Sequence, residues 1–426
     1  MSLLIYTETL STRKNYIFQF LIGEILGLTF QCTDNEQVFL KSELPKFSYG
    51  RKRLLNEIFI QEESLLTESY IQKQTINFYC FDGYKLPFST TGDLPFDIFS
   101  AAFYLISRYE EYVSEEKDQY GRFHGKQSLA YQCGFLKRPV IDEWTYMFLK
   151  LLRERYPSLE YKKRKFNFQP TLDIDMPFYF RSESWNRKIL KAIKLSLKLD
   201  FKFLFRDPFD VYTDVKKWDK KYGLQTRYFL LMGNKHQLDN PIHFNKKPFE
   251  KLISELDPES LGLHPSFQSN LDSSEIKKEK QALESIVGKV IKESRQHYLM
   301  LNLPVTYRNL LDNGIEEDYT MAFADEPGFR AGTCTPFFWY DLGREEITAL
   351  KIFPTVVMDQ TLKRYQQLNA EQAKMEIFEL IQNVKKVNGT FISLWHNESV
   401  GDFGQWKDWK NVYIEMLEFA CKTENN

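Results

Sequence analysis

Acidic and histidine side chains stand at the ends of several short apolar runs, where they could take part in hydrolysis or bind a metal ion. One such run, FQPTL, leads into Asp173 and Asp175. Three of the six histidines lie in or directly after similar runs: His264 in LGLH, His297 in RQHYLML and His396 in FISLWH. If these runs are parallel strands, their carboxyl ends meet at one face, and the five side chains share a pocket.

The two aspartates have a spacing that suits a shared ligand. In an extended strand residues i and i+2 point to the same side, so Asp173 and Asp175 can face one group. Two carboxylates held this close repel each other unless a cation lies beside them. A divalent metal ion would relieve the repulsion, with one carboxylate as its ligand and the other as a base toward water. An acidic turn before Pro177 without any metal is the simpler interpretation, and the short motif by itself favours it.

The elements that must position these residues can be predicted from hydrophobic periodicity. Apolar runs alternate with helical patterns, for example 274–291 behind the capping pattern DSSE, and 370–387. Strands that alternate with helices indicate a parallel α/β architecture, either a sheet or a barrel. The predicted strands are 166–172, 226–232, 261–263, 296–301, 319–323 and 390–395.

The first part of the chain has a different pattern. Residues 1–160 mix short apolar runs with polar turns, which indicates an α+β domain whose role we assign as structural. The basic run YKKRK then breaks the pattern immediately before the first predicted strand of the α/β part. We therefore place a domain boundary near Glu160, with domains at 1–160 and 161–426.

One strong helical pattern, PFDIFSAAFYLISRYEEY, lies in this first domain. Its apolar residues recur at helical spacing, and Asp97 stands at a position typical of an N-terminal cap. We expect Arg108 and Glu110 to form a pair on the helix surface. No catalytic pattern is recognisable in this segment.

Composition and charge exclude several functional classes. Lys and Arg number 57 against 58 Asp and Glu, so the net charge of -1 supplies no global field for nucleic acid or an anionic membrane. The five cysteines form no CxxC pattern, which argues against a disulfide framework or a cysteine zinc site. The N-terminus lacks the features of a signal peptide, and no segment approaches the ~20 apolar residues of a membrane span. These features predict a cytoplasmic protein without a transmembrane segment.

A basic amphipathic segment at 187–205 allows two interpretations. It could lie on a membrane surface near a lipid-linked substrate. Alternatively it is a helix packed on the domain with its lysines in water, which is the commoner behaviour of amphipathic helices and the interpretation we favour.

Four motifs occur in a set order along the second part of the chain: TLDIDMP, TRYFLL, GLHPSF and a late LWH. In order and spacing they resemble the NodB-homology polysaccharide deacetylases, and in particular a bacterial branch with an additional N-terminal domain. The likeness covers most of 166–421, and PFDIFSAAFYLISRYEEY is similar to the N-terminal part of the same branch. It implies a distorted (β/α) barrel with fewer strands than a full eightfold one. It also implies removal of N-acetyl groups from a sugar in surface-polysaccharide biosynthesis.

The resemblance implies roles for individual residues. Asp173 matches the general base of the family and His396 the late histidine that acts as general acid. Asp175 and His264 match two metal ligands, and the metal implied is a divalent cation, zinc in the first place. With these roles Asp173 takes a proton from the attacking water and His396 protonates the departing amine.

The chain departs from the family pattern at one ligand. The family has a second metal histidine four positions after the first, and here that position is Gln268. Glutamine is a poor zinc ligand compared with imidazole, so metal binding is expected to be weak or absent unless His297 supplies the missing ligand. Taken alone, His297 is as compatible with a hydrogen-bonded wall residue as with a ligand. Arg295 and Arg330 both compete for the role of the family's substrate-orienting arginine.

Three hypotheses for the function follow. The first is a metal-dependent deacetylase whose carbohydrate substrate, given the missing signal peptide, is nucleotide-linked or lipid-linked. The second is a catalytically impaired member of the same fold that binds a carbohydrate without hydrolysing it. The third is an assembly protein that works through its N-terminal domain. The metal content of the purified protein distinguishes the first hypothesis from the other two.

Overall fold

The computed structural model describes residues 2–81, 84–180, 206–233, 239 and 247–422. The predicted amphipathic segment at 187–205 lies outside the described residues. The chain divides into two compact units. The first unit contains Met1–Asn167, Gly328–Pro354 and Asn383–Thr390, and the second contains Phe168–Pro327, Thr355–Gln382 and Phe391–Asn426.

Strands and helices alternate through the described residues. The strands are β1 Ser2–Tyr6, β2 Thr29–Thr33, β3 Lys46–Gly50, β4 Ile58–Gln61, β5 Phe78–Phe81, β6 Tyr84–Pro87, β7 Asn167–Ile174, β8 Arg227–Leu231, β9 Leu261–His264, β10 Glu293–Ser294, β11 Glu317–Asp318, β12 Phe337–Asp341, β13 Glu346–Ile352, β14 Val357–Met358 and β15 Thr390–His396. The helices are α1 Thr12–Phe18, α2 Glu36–Lys41, α3 Ile98–Ile106, α4 Tyr109–Val113, α5 Leu129–Gln132, α6 Val140–Arg155, α7 Tyr212–Tyr222, α8 Lys247–Glu255, α9 Phe267–Leu271, α10 Ser274–Val287, α11 Val305–Asp312, α12 Ala370–Lys386, α13 Asn397–Val400 and α14 Trp409–Cys421. In the part of the chain that the structure describes, no helix has the length and apolarity that crossing a bilayer requires.

The first unit contains a four-stranded sheet in the order β2-β1-β3-β4, in which all three neighbouring pairs are parallel. Its most buried helix is α3, whose residues are all buried. Asp97 caps α3 as predicted, since its Oδ1 accepts hydrogen bonds from the backbone N–H groups of Phe99 and Ser100.

The predicted continuous helix of this unit is interrupted, which corrects two expectations. Arg108 has a φ of 56°, in the left-handed region, so α3 and α4 are separate helices. Arg108 and Glu110 are buried rather than on the surface, and Arg108 also binds Glu111 through its Nε at 2.7 Å. The expected surface pair is therefore part of a buried ion cluster. Burial of these charges is possible because each is paired.

A second buried polar cluster ties α6 to a later segment of the same unit. Asp142 on α6 is fully buried, and its carboxylate accepts hydrogen bonds from the side chains of Thr333 and Thr335 at 2.6 and 2.5 Å. Arg164 donates from Nη2 to the same carboxylate at 2.9 Å. Arg164 belongs to the basic run predicted to mark the domain boundary, so that run is anchored at this residue.

The second unit is built on a mixed α/β arrangement whose strands run in the order β11-β10-β9-β8-β7-β15-β14. The pairs β10 with β11, β9 with β10, β8 with β9, β7 with β8 and β14 with β15 are parallel. The central strands are almost wholly buried, as expected for parallel strands covered on both faces. The prediction of an α/β architecture with parallel strands is confirmed.

Segments beside the two ends of this strand order meet. Thr355, two residues before β14, donates its backbone N–H to the carbonyl oxygen of Met321, beyond β11, at 3.1 Å. The hydroxyl of Thr355 also donates to the carbonyl oxygen of Tyr319 at 2.9 Å. The strand order therefore curves strongly, and side chains from non-adjacent strands can face the same space.

The Asp142 cluster generates a stability prediction. We expect Asp142→Ala to lower the free energy of unfolding by about 3–5 kcal/mol, because it leaves the buried end of Arg164 without its carboxylate. Glu143 is the matched control on the same helix, since its side chain and that of its partner Arg138 are 20% and 33% exposed. Glu143→Ala should lower the same quantity by less than about 1 kcal/mol. Urea denaturation of the purified variants measures both, and equal losses would contradict the assigned role of Asp142.

Candidate metal and catalytic site

The pocket at the carboxyl end of the sheet in the second unit begins with the two aspartates. Asp173 is the penultimate residue of β7 and is buried, whereas the Asp175 side chain, just beyond the strand, is 36% exposed. Both carboxylates face His264 at the end of β9. The Nε2 atom of His264 lies 3.7 Å from Oδ2 of Asp173 and 3.4 Å from Oδ1 of Asp175. The i, i+2 spacing thus directs both carboxylates toward one imidazole.

The imidazoles of His264 and His297 point their Nε2 atoms toward Asp175. The Nδ1 atom of His264 is 2.5 Å from the carbonyl oxygen of Arg295, which only accepts, so the proton lies on Nδ1. The Nε2 atom of His297 lies 3.5 Å from Oδ2 of Asp175, and its Nδ1 lies 2.7 Å from Oδ1 of Asp239. Both rings therefore present Nε2 to the pocket.

His297 reaches the pocket through a feature that the sequence pattern concealed. The predicted strand at 296–301 is wrong: the strand at this place is the two-residue β10, and the chain then turns through a short 3₁₀ helix at His297–Leu299. Tyr298 has a φ of 60°, which an extended strand does not contain. The turn places His297 next to His264, with their ring centroids 5.1 Å apart.

Asp175, His264 and His297 form a three-residue group whose ligand atoms all lie within 4.8 Å of one another. Zinc bound tetrahedrally at about 2.0–2.1 Å holds neighbouring ligand atoms about 3.4 Å apart. Here Nε2 of His264 lies 3.4 Å from Oδ1 of Asp175, and Nε2 of His297 lies 3.5 Å from Oδ2 of the same carboxylate. Oδ1 of Asp175 is buried and accepts no hydrogen bond from the described residues. A carboxylate oxygen in that state is suited to a cation, so these residues fit a divalent metal ion.

Gln268, the residue four positions after His264, is tied through its backbone to a different carboxylate. It lies on α9, and its backbone N–H donates to Oδ2 of Asp239 at 3.2 Å. The third ligand beside Asp175 and His264 is His297, whose Nε2 lies 3.5 Å from Oδ2 of Asp175.

His396 closes the pocket on another side. It ends β15, and both its backbone N–H and its Nδ1 bind the carboxylate of Asp359 at 2.8 Å. Ser399 also donates a hydrogen bond to Asp359. Because Nδ1 donates to a carboxylate, the remaining nitrogen faces the pocket, where Nε2 lies 3.9 Å from Oδ2 of Asp175.

The two candidate arginines have different surroundings. Arg295 is fully buried and donates from Nη1 to Oδ1 of Asp173 at 2.8 Å, and to the Thr171 hydroxyl at 2.6 Å. Arg330 lies in the first unit, buried, where its Nη2 donates to Glu111 at 2.6 Å. Arg295 is therefore the arginine that contacts the predicted base.

Further hydrogen bonds hold the Arg295 side chain in place. Its Nε donates to the carbonyl oxygen of Tyr319 at 3.0 Å, and its Nη2 to the hydroxyl of Thr355 at 3.1 Å. Asp318, which the sequence suggested as an orienting group for the arginine, instead accepts hydrogen bonds from the hydroxyls of Ser294 and Thr320. Asp318 thus braces the ends of β10 and β11.

The electrostatics of the site follow from its many carboxylates. Burial alone lowers the pKa of a histidine, but Asp359 outweighs it at His396 and raises that pKa to about 10. Burial is likewise outweighed at His297, where Asp175 and Asp239 raise the pKa to about 9. In return the histidines hold the pKa of Asp175 well below its usual range, although burial opposes them. The pocket is a strongly anionic environment that favours positive charge.

Sequence reasoning missed two residues of the site, Asp239 and Asp359. Asp359 directly follows the apolar run VVM, so the strand-end rule that found His264 and His396 would have found it had this run been taken as a strand. Asp239 stands in the polar sequence LDNP, which has no periodicity that could have identified it.

The first part of the chain, residues 3–157, matches the model of a family of unknown function, DUF7033. This match covers less than half of the chain. A search of curated proteins finds no match.

Solved structures similar to the chain include two deacetylases. A proposed polysaccharide deacetylase from Mycobacterium smegmatis has a TM-score of 0.40 and 11% identity, over 63% of this chain and 88% of that one. A polysaccharide deacetylase from Bacillus cereus has a TM-score of 0.29 and 14% identity, over 60% of this chain and 88% of that one. An alpha-amylase from Thermotoga maritima gives a TM-score of 0.31 and 9% identity, over 61% and 63%. These values are low, so the likenesses by themselves assign no function to the chain.

The segment after His264 is held by a buried glutamate with a perturbed pKa. Glu279 on α10 accepts hydrogen bonds from the backbone N–H and the hydroxyl of Ser266, which in turn caps α9. Burial raises the pKa of Glu279 from 4.5 to about 7, and the charges of Asp239 and Glu275 act in the same direction.

This shift predicts a pH dependence of stability. The folded protein holds the Glu279 proton more tightly than the unfolded chain does. Its contribution is therefore full below about pH 4.5 and is lost as the pH rises through about 7. The free energy of unfolding should fall by up to about 3 kcal/mol over that range. Glu279→Gln, which cannot ionise, should show a flatter profile in urea denaturation between pH 4.5 and 8. If the free energy of unfolding changed with pH equally in both proteins, the raised pKa assigned to Glu279 would be contradicted.

Proposed function

We propose that the chain is a metal-dependent N-deacetylase that acts on an N-acetylated carbohydrate in surface-polysaccharide biosynthesis. The observation that carries the proposal is the arrangement of five side chains around one pocket. Asp175, His264 and His297 supply three ligands of the types and spacing that zinc uses. Asp173 stands on one side of them and His396 on another. Arg295 holds Asp173, and Asp359 holds His396.

A divalent cation held by the three ligands would polarise the amide carbonyl and lower the pKa of a water molecule. Asp173 is placed to receive the proton of that water. Arg295 binds Oδ1 of Asp173, which leaves Oδ2 facing the ligand group, 3.7 Å from Nε2 of His264. Arg295 thus orients the base and keeps its charge compensated in a buried place.

His396 is placed to protonate the departing amine. Asp359 holds its Nδ1, so the proton available for transfer is on Nε2, which faces the pocket. The acid and the base come from β15 and β7, which are neighbours in the strand order, and both flank Asp175. This arrangement allows one group to take a proton while the other donates one.

The finer architecture is also part of the proposal. We propose that the second unit is a distorted (β/α) barrel of the deacetylase type, and that the N-terminal domain ends near Glu160. The contact between Thr355 and Met321, which brings together segments beside β14 and β11, supports a closed arrangement. The first unit additionally contains 328–354 and 383–390, so the proposed domains are not identical to the compact units.

The substrate assignment rests on the sequence resemblance more than on the pocket. The pocket supports hydrolysis of an amide, and the ordered motifs from TLDIDMP to LWH support an N-acetylated sugar as the carrier of that amide. A nucleotide-linked or lipid-linked sugar remains the form of substrate that we propose.

The ligand assignment predicts which substitutions weaken metal binding. We expect His264→Ala and His297→Ala each to lower zinc affinity by more than about 100-fold, since even the loss of a group behind a ligand costs 10–100-fold. Gln268→Ala is the matched control and should change the affinity little. Competition with a chromophoric chelator measures all three. A loss in Gln268→Ala equal to that in His297→Ala would show that the third ligand is misassigned.

The acid and base assignments predict a separate loss of turnover. Asp173→Asn and His396→Gln should each lower kcat by about 10²–10⁴-fold while zinc remains bound. Release of acetate from N-acetylglucosamine oligomers and from a nucleotide-linked N-acetylglucosamine measures the activity. Full metal occupancy with no acetate released from any of these by the unmodified protein would favour a carbohydrate-binding protein without hydrolytic activity.

A further inference from the structure

Asp239 is a fully buried carboxylate that joins three separate groups. Its Oδ1 lies 2.7 Å from Nδ1 of His297 and accepts the backbone N–H of Phe267 at 2.9 Å. Its Oδ2 accepts the backbone N–H of Gln268 at 3.2 Å. Asp239 therefore connects the turn after β10, which carries His297, to the start of α9, which carries Gln268.

The contact with Asp239 decides which nitrogen of His297 is free. An ionised carboxylate only accepts hydrogen bonds, so Nδ1 of His297 must carry a proton. The lone pair for a metal is then on Nε2, the atom 3.5 Å from Oδ2 of Asp175. The backbone N–H groups of Phe267 and Gln268 also donate to this carboxylate, so both of its oxygens act as acceptors.

The ring of His297 is also restrained by packing. Tyr298 lies edge-on to it, with ring centroids 4.6 Å apart, and Phe267 lies edge-on to Tyr298 at 5.8 Å. Packing alone does not distinguish the two orientations of an imidazole that differ by a flip about its axis. The carboxylate of Asp239 does, because it can bind only the nitrogen that carries a proton.

We propose that Asp239 is a positioning residue that fixes His297 as the third metal ligand, in place of the histidine that the chain lacks at position 268. This inference rests on the proposed metal site. Asp239 bonds both the backbone of the residue that does not act as ligand and the imidazole that does. A carboxylate behind a ligating histidine also increases the basicity of the ligand. Loss of Asp239 is therefore expected to weaken metal binding through the relocated ligand, although less than loss of His297 itself does.

Two variants and one control test the proposal through metal affinity. Asp239→Ala should lower zinc affinity 10–100-fold, and Asp239→Asn should lower it less, because an amide oxygen still accepts from Nδ1. Asp257 is the control, since its carboxylate also caps a short helical turn, at Pro258–Ser260, and its other described side-chain partner is Gln225. Asp257→Ala should leave zinc affinity unchanged. An unchanged affinity in Asp239→Ala would overturn the proposal.

A second readout does not require metal or activity. In proton NMR of the metal-free protein, the Nδ1 protons of His297 and His396, each bonded to a carboxylate, should both appear far downfield. Asp239→Ala should remove only the His297 signal, and the His396 signal, which depends on Asp359, is the internal control. Retention of both signals in Asp239→Ala would overturn the proposal. Absence of zinc binding in the unmodified protein would instead overturn the proposed function on which it rests.

Discussion

Repulsion between closely placed carboxylates is the constraint on which the site depends. Asp173 and Asp175 are directed to one side of β7 by the geometry of the strand, and Asp239 and Asp359 lie behind the facing histidines. Such a group is stable only if positive charge balances it. Arg295 supplies one permanent charge at Asp173, and His297 and His396, whose pKa values are raised, supply more by holding protons. A divalent cation would supply the same charge at the free oxygen of Asp175.

The same constraint explains why the three histidines and the base each have a fixed partner. His264 is held by a backbone carbonyl, His297 and His396 by carboxylates, and the base Asp173 by Arg295. Each partner binds one nitrogen or oxygen atom of the side chain, and the other nitrogen or oxygen is then directed into the pocket. The orientation of ligand, acid and base is thus set before any substrate binds, which is the condition for efficient proton transfer.

The sequence predicted the parts of the site that depend on apolar, strand-like runs. The runs before Asp173, His264 and His396 are buried strands, because apolar residues on both faces suit a parallel sheet. The strand predicted around His297 is wrong. The sequence RQHYLML has the apolar pattern of a strand, but the segment contains a turn in which Tyr298 is left-handed. Asp359 could have been found only if the run VVM had been taken as a strand. Asp239 could not be found by periodicity, because contacts across the fold assign its role.

The central claim is that Asp175, His264 and His297 together bind one divalent cation. Anomalous X-ray scattering at the zinc edge, from crystals grown without chelator and soaked in zinc, tests it directly. The account predicts one anomalous peak about 2.0–2.2 Å from a carboxylate oxygen of Asp175 and from Nε2 of both histidines. A peak coordinated by Gln268 instead of His297, or no peak at all in this pocket at saturating zinc, would contradict it.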